Sequence, residues 1–191
     1  CVGNLSTGGT GKSPTIEYLI RVLKTKYKVA TLSRGYKRET TGFIIANDNA
    51  TAQTIGDEPF QFYSKFKDVT VSVDANRQHG ITQLIKQKQP DVILLDDAFQ
   101  HRKVKTSFNI LLTSYDNLYC DDIVLPTGNL REPRSGAKRA QLIVVTKCPT
   151  SLSSSEKETI KNKLKPLKDQ EVFFSSIAYS ETVFSANDEL A

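Results

Sequence analysis

A glycine-rich segment near the start of the chain carries the residue types that hold phosphate groups. Ser6-Thr7-Gly8-Gly9-Thr10-Gly11-Lys12-Ser13 follows the strand pattern of residues 1–5, and Pro14 opens a helical pattern. Glycine-rich backbone offers N–H groups to phosphate oxygens, and a helix N-terminus adds partial positive charge. The segment matches the P-loop motif G-x-x-x-x-G-K-[ST], except that Ser6 stands in place of the first glycine.

The P-loop motif assigns a task to two of its polar side chains. Lys12 is placed to bridge the β- and γ-phosphates of a nucleotide and to act in catalysis, and Ser13 is placed to offer its hydroxyl to Mg²⁺. The alternative interpretation is a glycine-rich turn that binds nothing. The predicted nucleotide-binding residues are Thr7, Gly8, Gly9, Thr10, Gly11, Lys12, Ser13 and Pro14.

Two adjacent carboxylates follow a continuous apolar run. Asp96 and Asp97 come directly after Val92–Leu95, which reads as a buried strand. In an open α/β sheet such a strand ends at the edge where ligands bind, beside the phosphate cradle. We predict that both aspartates ligate Mg²⁺ and that Asp97 also acts in catalysis. A solvated Asp-Asp turn is the alternative.

A third motif bears on which nucleotide is used. P-loop GTPases read guanine with [NT]-K-x-D after a strand, and the matching segment here is Thr146-Lys147-Cys148-Pro149. Pro149 stands where the aspartate that bonds the base is needed. The sequence therefore favours ATP over GTP.

The amino-acid composition limits the classes of partner that the chain is expected to bind. The chain has 191 residues, 38% of them hydrophobic and 25% charged, which is ordinary for a globular domain. No stretch approaches the roughly 18 apolar residues of a membrane span. The net charge of +5 suits an anionic partner. We predict no nucleic-acid partner, because no aromatic-basic pattern for stacking bases is present.

Strand patterns alternate with helical ones along most of the chain. Helices are predicted after Pro14, at Glu58–Phe66, around Ile81–Ile85 and in a lysine-rich segment near residue 160. The predicted fold is α/β, a P-loop NTPase-like three-layer fold with a mainly parallel sheet. The predicted strands are Lys28–Ser33, Phe43–Ala46, Val69–Val73, Val92–Leu95, Phe108–Leu112, Leu142–Val145 and Val172–Ile177.

The domain organisation is predicted to be one nucleotide-binding kinase domain over residues 1–177. Residues 178–191 are expected to begin a linker or a second domain. Cys1-Val2-Gly3-Asn4-Leu5 reads as the end of a strand already under way, so we expect a preceding segment that this chain does not carry. Residues 114–141 are rich in loops, which often carry function.

Further motifs occur in a fixed order and carry a resemblance. They are Gly3-Asn4-Leu5, Ser33-Arg34-Gly35-Tyr36, Gly56-Asp57-Glu58-Pro59, Asn76-Arg77, Asp96-Asp97-Ala98-Phe99-Gln100-His101 and Gly128-Asn129-Leu130-Arg131-Glu132-Pro133. Together with the P-loop, this set resembles the lipid A 4′-kinase (tetraacyldisaccharide 4′-kinase) family from residue 1 to about residue 149. The resemblance implies transfer of the ATP γ-phosphate to the 4′-hydroxyl of a tetraacyldisaccharide 1-phosphate, at the cytoplasmic face of the bacterial inner membrane.

Two features of the family are not found in these 191 residues. The family usually begins with an amphipathic or membrane-embedded helix, which would serve as its anchor. It also carries an Asp-His-His motif further along, whereas this chain has only His79 and His101. His79 is predicted to be a surface residue of a helix.

The resemblance also implies roles for individual residues. It places Asp57 as the base that accepts the proton of the sugar hydroxyl; the alternative is that Asp57 only caps the following helix. Gln100 and His101 are expected within reach of the γ-phosphate or the substrate. Arg34 and Arg77 are predicted to pair with phosphate oxygens, Glu132 to help hold Mg²⁺ or ATP, and Arg131 and Arg134 to contact the 1-phosphate of the lipid. Surface arginines without such a task are the alternative.

Two other functional classes fit a P-loop domain. One is an ATPase that uses hydrolysis as a switch, whose turnover would ignore an acylated disaccharide. The other is a non-catalytic module that binds ATP–Mg²⁺ without turnover.

Overall fold

The computed structural model describes residues 1–178, 183–184 and 189–190, so most of the predicted linker or second-domain start lies outside the described residues. Strands and helices alternate through the first 174 of them. The strands are β1 (Val2–Asn4), β2 (Val29–Ser33), β3 (Ile44–Ile45), β4 (Thr70–Val73), β5 (Val92–Leu95), β6 (Ile110–Ser114), β7 (Leu142–Thr146), β8 (Glu171–Phe174), β9 (Val183–Phe184) and β10 (Glu189–Leu190). The helices are α1 (Lys12–Leu23), α2 (Ala52–Ile55), α3 (Asp57–Lys65), α4 (Arg77–Lys88) and α5 (Ser154–Leu164), with a 3₁₀ helix at Arg134–Arg139.

Eight strands form a central sheet. Two four-stranded ladders have the orders β3-β4-β2-β5 and β1-β6-β7-β8. A parallel bridge between Val2 and Asp96 places β1 beside the end of β5 and joins the two ladders. All pairings in these ladders are parallel except that of β3 with β4. The prediction of a mainly parallel sheet is confirmed.

The sheet is covered on both faces. Alternate residues of a strand point to opposite faces, and in β6 Leu112 joins the core that contains Ile16 of α1 and Phe62 of α3. Its neighbour Leu111 joins the opposite core, which contains Ile160 of α5. These two apolar cores make the fold the three-layer arrangement that the sequence predicts.

The P-loop helix begins earlier than predicted. It starts at Lys12, so Pro14 is its third residue rather than its first. Proline is tolerated there because the N–H groups of the first turn have no intrahelical acceptor. The residues Ile16 and Ile20 are buried, as their spacing predicts.

Other elements also differ from the prediction. The strand expected at Phe108–Leu112 runs from Ile110 to Ser114, because it pairs in register with β1 and β7 while Phe108 stays 51% exposed. The last predicted strand ends at Phe174 rather than Ile177. A short helix, α2, forms in the segment predicted to be irregular, where a Thr51–Thr54 capping box satisfies its first N–H groups.

Candidate active site

The candidate site is a cleft of about 770 Å³ at the carboxyl edge of the central strands. The ends of β1, β2 and β5 meet there because parallel strands expose the same end at one edge. The start of α3 closes the opposite wall. The predicted residues that line the cleft are Thr7, Gly8, Lys12, Arg34, Asp57, Asp96, Asp97, Gln100, His101 and Arg131.

The P-loop connects β1 to α1 and is held on two sides. Thr146 at the end of β7 donates its hydroxyl to the Thr10 carbonyl at 2.9 Å, and the Thr7 N–H donates to the Asn129 carbonyl at 2.7 Å. Gly11 is the N-cap of α1 with a φ of 84°, a left-handed conformation that favours glycine. Ser6, which replaces the motif's first glycine, forms a bridge with Leu130, an extended conformation that any residue adopts.

Asp97 is the centre of a charged cluster at the mouth of the P-loop. Arg131 donates to both of its oxygens, at 2.8 and 3.1 Å, and Lys12 Nζ lies 3.8 Å from its Oδ1. Burial acts to raise the pKa of Asp97, but the Arg131 hydrogen bonds and the charge of Lys12 outweigh it and lower the pKa. The carboxylate therefore stays charged and holds Lys12 and Arg131 together.

The surroundings of the Asp96 carboxylate differ from those of Asp97. Its side chain is buried, with 2% exposure for the residue, and its Oδ2 accepts a hydrogen bond from Ser33 Oγ at 3.2 Å. Its Oδ1 is buried without a partner among the described residues. Burial, followed by the charges of Glu58 and Asp97, raises the pKa of Asp96 to about 6. A buried carboxylate oxygen without a donor fits a cation or its bound water.

Glu58 is a site residue to which the sequence motifs gave no predicted role. It lines the cleft, and its Oε1 accepts a hydrogen bond from Ser13 Oγ at 3.2 Å. Ser13, Glu58 and Asp96 together offer only oxygen donors, which suits Mg²⁺. The described residues contain no group of three or more His, Cys, Asp or Glu side chains that could hold a metal. Such a sparse donor set is usual for Mg²⁺, which relies on phosphate oxygens and water for its other ligands. The adjacency of Glu58 to Asp57 was the available signal.

Asp57 lies at the start of α3 on the wall of the cleft. The alternative that Asp57 caps this helix is not realised, because Gly56 is the N-cap and Asp57 is the first helical residue. Gly56 has a φ of 93°, and a Cβ on it would lie 3.1 Å from the Cα of Gly35. This close backbone approach brings the Ser33–Tyr36 turn and Asp57 to the same cavity. The role of Asp57 as a base stays a prediction.

Glu132 is not among the residues that line the cleft, and its predicted role in holding Mg²⁺ or ATP stays a prediction. Its carboxylate is buried and accepts hydrogen bonds from Arg139 at 2.8 Å, Gln100 at 3.0 Å and Arg102 at 3.2 Å. Burial acts to raise the pKa of Glu132, but the bond from Arg139 and the other donors lower it. The geometry gives Glu132 the work of orienting Gln100, whose amide also donates to the Asn4 carbonyl at 2.8 Å.

Arg77 is also placed differently from the prediction. It is 2% exposed, and its guanidinium donates to the backbone carbonyls of Asp74 and Asp96. Burial lowers the pKa of Arg77 to about 10. Through Nη1 and Nη2 Arg77 supports the end of β5, and it is not among the residues that line the cleft. The predicted contact of Arg77 with a substrate phosphate stays a prediction.

The remaining predicted residues divide between cleft and surface. Arg34 is exposed and lines the cleft beside His101. Burial and the charges of Arg77 and Arg34 lower the pKa of His101, which favours its neutral form. Arg134 donates to the Asp122 carbonyl at 2.6 Å and lies away from the cleft lining. His79 is on α4 with its side chain 49% exposed, which confirms its prediction as a surface helix residue.

In residues 1–178 and the two short strands that follow, no helix combines the length and apolar content that crossing a bilayer requires.

The sequence of this chain matches a known protein family. Residues 1–188 match the profile of the family Tetraacyldisaccharide-1-P 4'-kinase. A Tetraacyldisaccharide 4'-kinase of Flavobacterium johnsoniae is 60% identical over 191 residues, covering 100% of this chain and 56% of that protein. The corresponding protein of Bacteroides thetaiotaomicron is 51% identical over 195 residues, covering 100% of this chain and 51% of that protein. The chain spans about half the length of the curated relatives it matches.

A solved structure agrees with the fold. The crystal structure of LpxK from Aquifex aeolicus in complex with ATP matches with a TM-score of 0.69 at 27% sequence identity. The match covers 98% of this chain and 74% of that one. The predicted P-loop NTPase-like α/β fold is confirmed. The chain belongs to the tetraacyldisaccharide-1-P 4'-kinase family.

Proposed function

We propose that the full-length protein transfers the γ-phosphate of ATP to the 4′-hydroxyl of a tetraacyldisaccharide 1-phosphate, an acylated intermediate of lipid A synthesis. The observation that carries this proposal is the composition of the cleft. Lys12, Asp96 and Asp97 lie on its nucleotide side, and Asp57 lies on the opposite wall. The cleft therefore has a place for a triphosphate and a carboxylate facing it. The relatives named Tetraacyldisaccharide 4'-kinase support the identity of the acceptor.

ATP is the proposed phosphate donor. The structural neighbour from Aquifex aeolicus is in complex with ATP, and its similarity covers 98% of this chain. Thr146, the first residue of the guanine-reading motif, is buried and hydrogen-bonded to the Thr10 carbonyl. It therefore supports the P-loop, while Pro149 leaves the motif without its base-binding carboxylate.

Mg²⁺ is the proposed cofactor, held by the Ser13 hydroxyl with the carboxylates of Asp96 and Glu58 close by. The partnerless Asp96 Oδ1 and the Ser13–Glu58 hydrogen bond of 3.2 Å support this placement. When bound, the ion would neutralise charge on the β- and γ-phosphates. Asp97, fixed by Arg131, keeps Lys12 directed at the same phosphates.

The proton of the acceptor hydroxyl is proposed to move to Asp57. As the bond between the 4′-oxygen and the γ-phosphorus forms, the bond from that phosphorus to the β-phosphate oxygen breaks and ADP leaves. The hydroxyl proton passes to the Asp57 carboxylate. Lys12 stabilises the charge that develops on the transferred group. Gln100 and His101 line the same cleft and are proposed to contact the γ-phosphate or the acceptor.

The location of the reaction is proposed to be the cytoplasmic face of the bacterial inner membrane, with the protein bound peripherally. An acylated acceptor resides in a lipid layer, so the enzyme must meet it at that surface. A net charge of +5 favours approach to anionic headgroups. A nucleic-acid partner is not proposed, because the sequence has no aromatic-basic pattern for stacking bases.

The test measures phosphoryl transfer by the purified full-length protein. ATP, Mg²⁺ and the acylated disaccharide 1-phosphate are combined in detergent micelles, and phosphorylated lipid and ADP are quantified together. One ADP for each phosphorylated lipid is expected, with little ADP when the acceptor is omitted. ADP release that ignores the acceptor would identify an ATPase switch instead. Tight nucleotide binding without any ADP would identify a non-catalytic module.

A further inference from the structure

A second cavity lies beside the cleft. It has a volume of about 330 Å³ and shares Arg34, Gly35 and Tyr36 with the larger cavity. We call it the basic side pocket. Its lining residues are 34–38, 40–42 and Ala75. The two cavities are therefore immediate neighbours on either side of the Arg34–Tyr36 segment.

The charged residues that line the basic side pocket are all positive. Arg34, Lys37 and Arg38 line it, whereas no Asp or Glu is found among its described lining residues. The Thr40 hydroxyl is already used, because it donates to the Thr54 carbonyl. The Thr41 side chain is exposed at the rim. Three cations around one small cavity favour an anion between them.

The Arg38 side chain is held in place by contacts with Gly35 and Gly42. Its stem packs directly over Gly35, where a Cβ would lie 2.5 Å from Arg38 Cδ. One guanidinium nitrogen, Nη2, donates to the Gly42 carbonyl, while the other, Nη1, is buried without a partner among the described residues. Burial lowers the pKa of Arg38, and the charge of Asp74 only partly opposes that effect. Arg38 thus carries one guanidinium nitrogen that no described residue satisfies.

We propose that the basic side pocket binds the phosphate monoester at the far end of the acceptor, the 1-phosphate of the disaccharide. The inference rests on the proposed function, which puts the reacting hydroxyl in the adjoining cleft. A planar guanidinium matches phosphate oxygens in a bidentate manner. The assignment replaces the prediction that Arg131 and Arg134 contact this phosphate. Both arginines are engaged elsewhere, Arg131 with Asp97 and Arg134 with the Asp122 carbonyl.

The experiment compares two acceptors that differ only in the 1-phosphate. The kcat/KM of the full-length protein is measured for the phosphorylated and the dephosphorylated acylated disaccharide, and the ratio of the two is the readout. Arg38→Gln is expected to lower this ratio about 10- to 100-fold, the usual worth of a hydrogen bond between charged groups. A ratio equal to that of the wild type, with both acceptors slowed alike, would overturn the proposal.

A second pair of variants covers the case in which Arg38→Gln fails to fold. Lys37 is exposed at the pocket, so Lys37→Gln is expected to lower the same ratio about 2- to 5-fold. Lys86 is also an exposed lysine, on α4 and far along the chain from the pocket lining, and Lys86→Gln serves as its control. An equal effect of the two lysine variants would reject the pocket.

Two binding measurements separate this inference from the proposed function. Without ATP, the affinities of wild type and Arg38→Gln for both acceptors are measured in detergent micelles. Discrimination through Arg38 in a protein that transfers no phosphate would reject the kinase function and keep the pocket. Binding to vesicles of phosphatidylglycerol without acceptor is then compared. If Arg38→Gln weakens vesicle binding and leaves acceptor discrimination intact, the pocket holds a membrane headgroup and the proposal is overturned.

Discussion

Ser13 Oγ donates a hydrogen bond of 3.2 Å to Glu58 Oε1, which ties the first turn of the P-loop helix to the first turn of α3. The same two helices meet one turn later, where Glu17 accepts from Gln61 at 2.8 Å and Lys65 at 2.7 Å. These contacts set the distance across the cleft between the P-loop and Asp57. The wall that carries the proposed base is therefore positioned by the helix that carries the phosphate cradle.

Glu58→Gln should weaken Mg²⁺ use. Glutamine can still accept from the Ser13 hydroxyl, but the negative charge near the ion is lost, so we expect the Mg²⁺ concentration for half-maximal activity to rise about 10-fold. Nucleotide binding titrated with Mg²⁺ gives a readout independent of turnover. Glu158→Gln, an exposed change on α5, is the control. Unaltered Mg²⁺ dependence in Glu58→Gln would remove Glu58 from the metal site.

Lys12→Ala should abolish phosphoryl transfer. The β- and γ-phosphates lose their point charge, and removing one such electrostatic contact typically costs about 10²–10³-fold in kcat. Steady-state kinetics of the full-length variant provide the measurement. Lys26→Ala, an exposed change just after α1, is expected to behave like the wild type. A near-normal rate for Lys12→Ala would take the P-loop out of the mechanism.

ATP should displace GTP in a competition titration. Thr146 is committed to the P-loop, and Pro149 cannot bond the guanine edge as an aspartate does, so the site lacks a guanine reader. A labelled ATP analogue bound to the protein is titrated with unlabelled ATP and GTP. Equal displacement by the two nucleotides would contradict the inference from Pro149.

Asp57→Ala should lower kcat and leave ATP binding nearly intact. A positioned proton acceptor contributes about 10²–10⁴-fold, and the loss should ease as pH rises and free hydroxide takes over. Gly56 caps α3, so the melting temperature should change little. Kinetics, nucleotide titration and thermal melting are compared in one protein preparation. A variant that melts early yet turns over normally would show that Asp57 has a structural role only.

Asp96→Asn should stabilise the protein near neutral pH while removing Mg²⁺-dependent activity. Burial raises the pKa of Asp96 to about 6, so the folded state holds this proton more tightly than the unfolded chain does. The stability that Asp96 contributes is present below pH 4 and is lost as pH rises through about 6. A shift of this size costs on the order of 2–3 kcal/mol at pH 7.

The direction of this pH dependence is tested by thermal melting of the wild type and Asp96→Asn at pH 4 and pH 7.5, without nucleotide or Mg²⁺. The melting temperatures should agree at pH 4, and the variant should melt higher at pH 7.5. A variant that melts lower at pH 7.5 would show that Asp96 is stabilised as the charged form.

Local motifs allowed much of the site to be predicted. The P-loop, the Val92–Leu95 strand and the two aspartates after it are each set by residues within about ten positions of one another. A strand, a glycine turn and a helix start determine where backbone N–H groups point, and a parallel strand delivers its last side chains to one edge. The fold class followed from the same alternation of strands and helices, because periodicity reflects which face is buried.

Pairs distant in the sequence were decided only by the tertiary structure. Asp97 and Arg131 are 34 positions apart, and Ser13 and Glu58 are 45 apart. Nothing local to either residue specifies such a partner. Packing of α1 against α3, and of the segment after residue 128 against the P-loop, brings them together.

The same reason explains why Arg77 and Glu132 make contacts that their sequence motifs do not specify. An arginine beside a helix start and a glutamate in a loop have the residue types of ligands to phosphate and metal. Whether such a side chain faces the cleft depends on how neighbouring elements bury it. Arg77 turns to backbone carbonyls beneath β5, and Glu132 is surrounded by donors from two other segments. The sequence by itself determined the phosphate cradle and its acidic strand; the tertiary structure alone decided which surrounding charges face it, because burial and pairing depend on every element packed around a side chain.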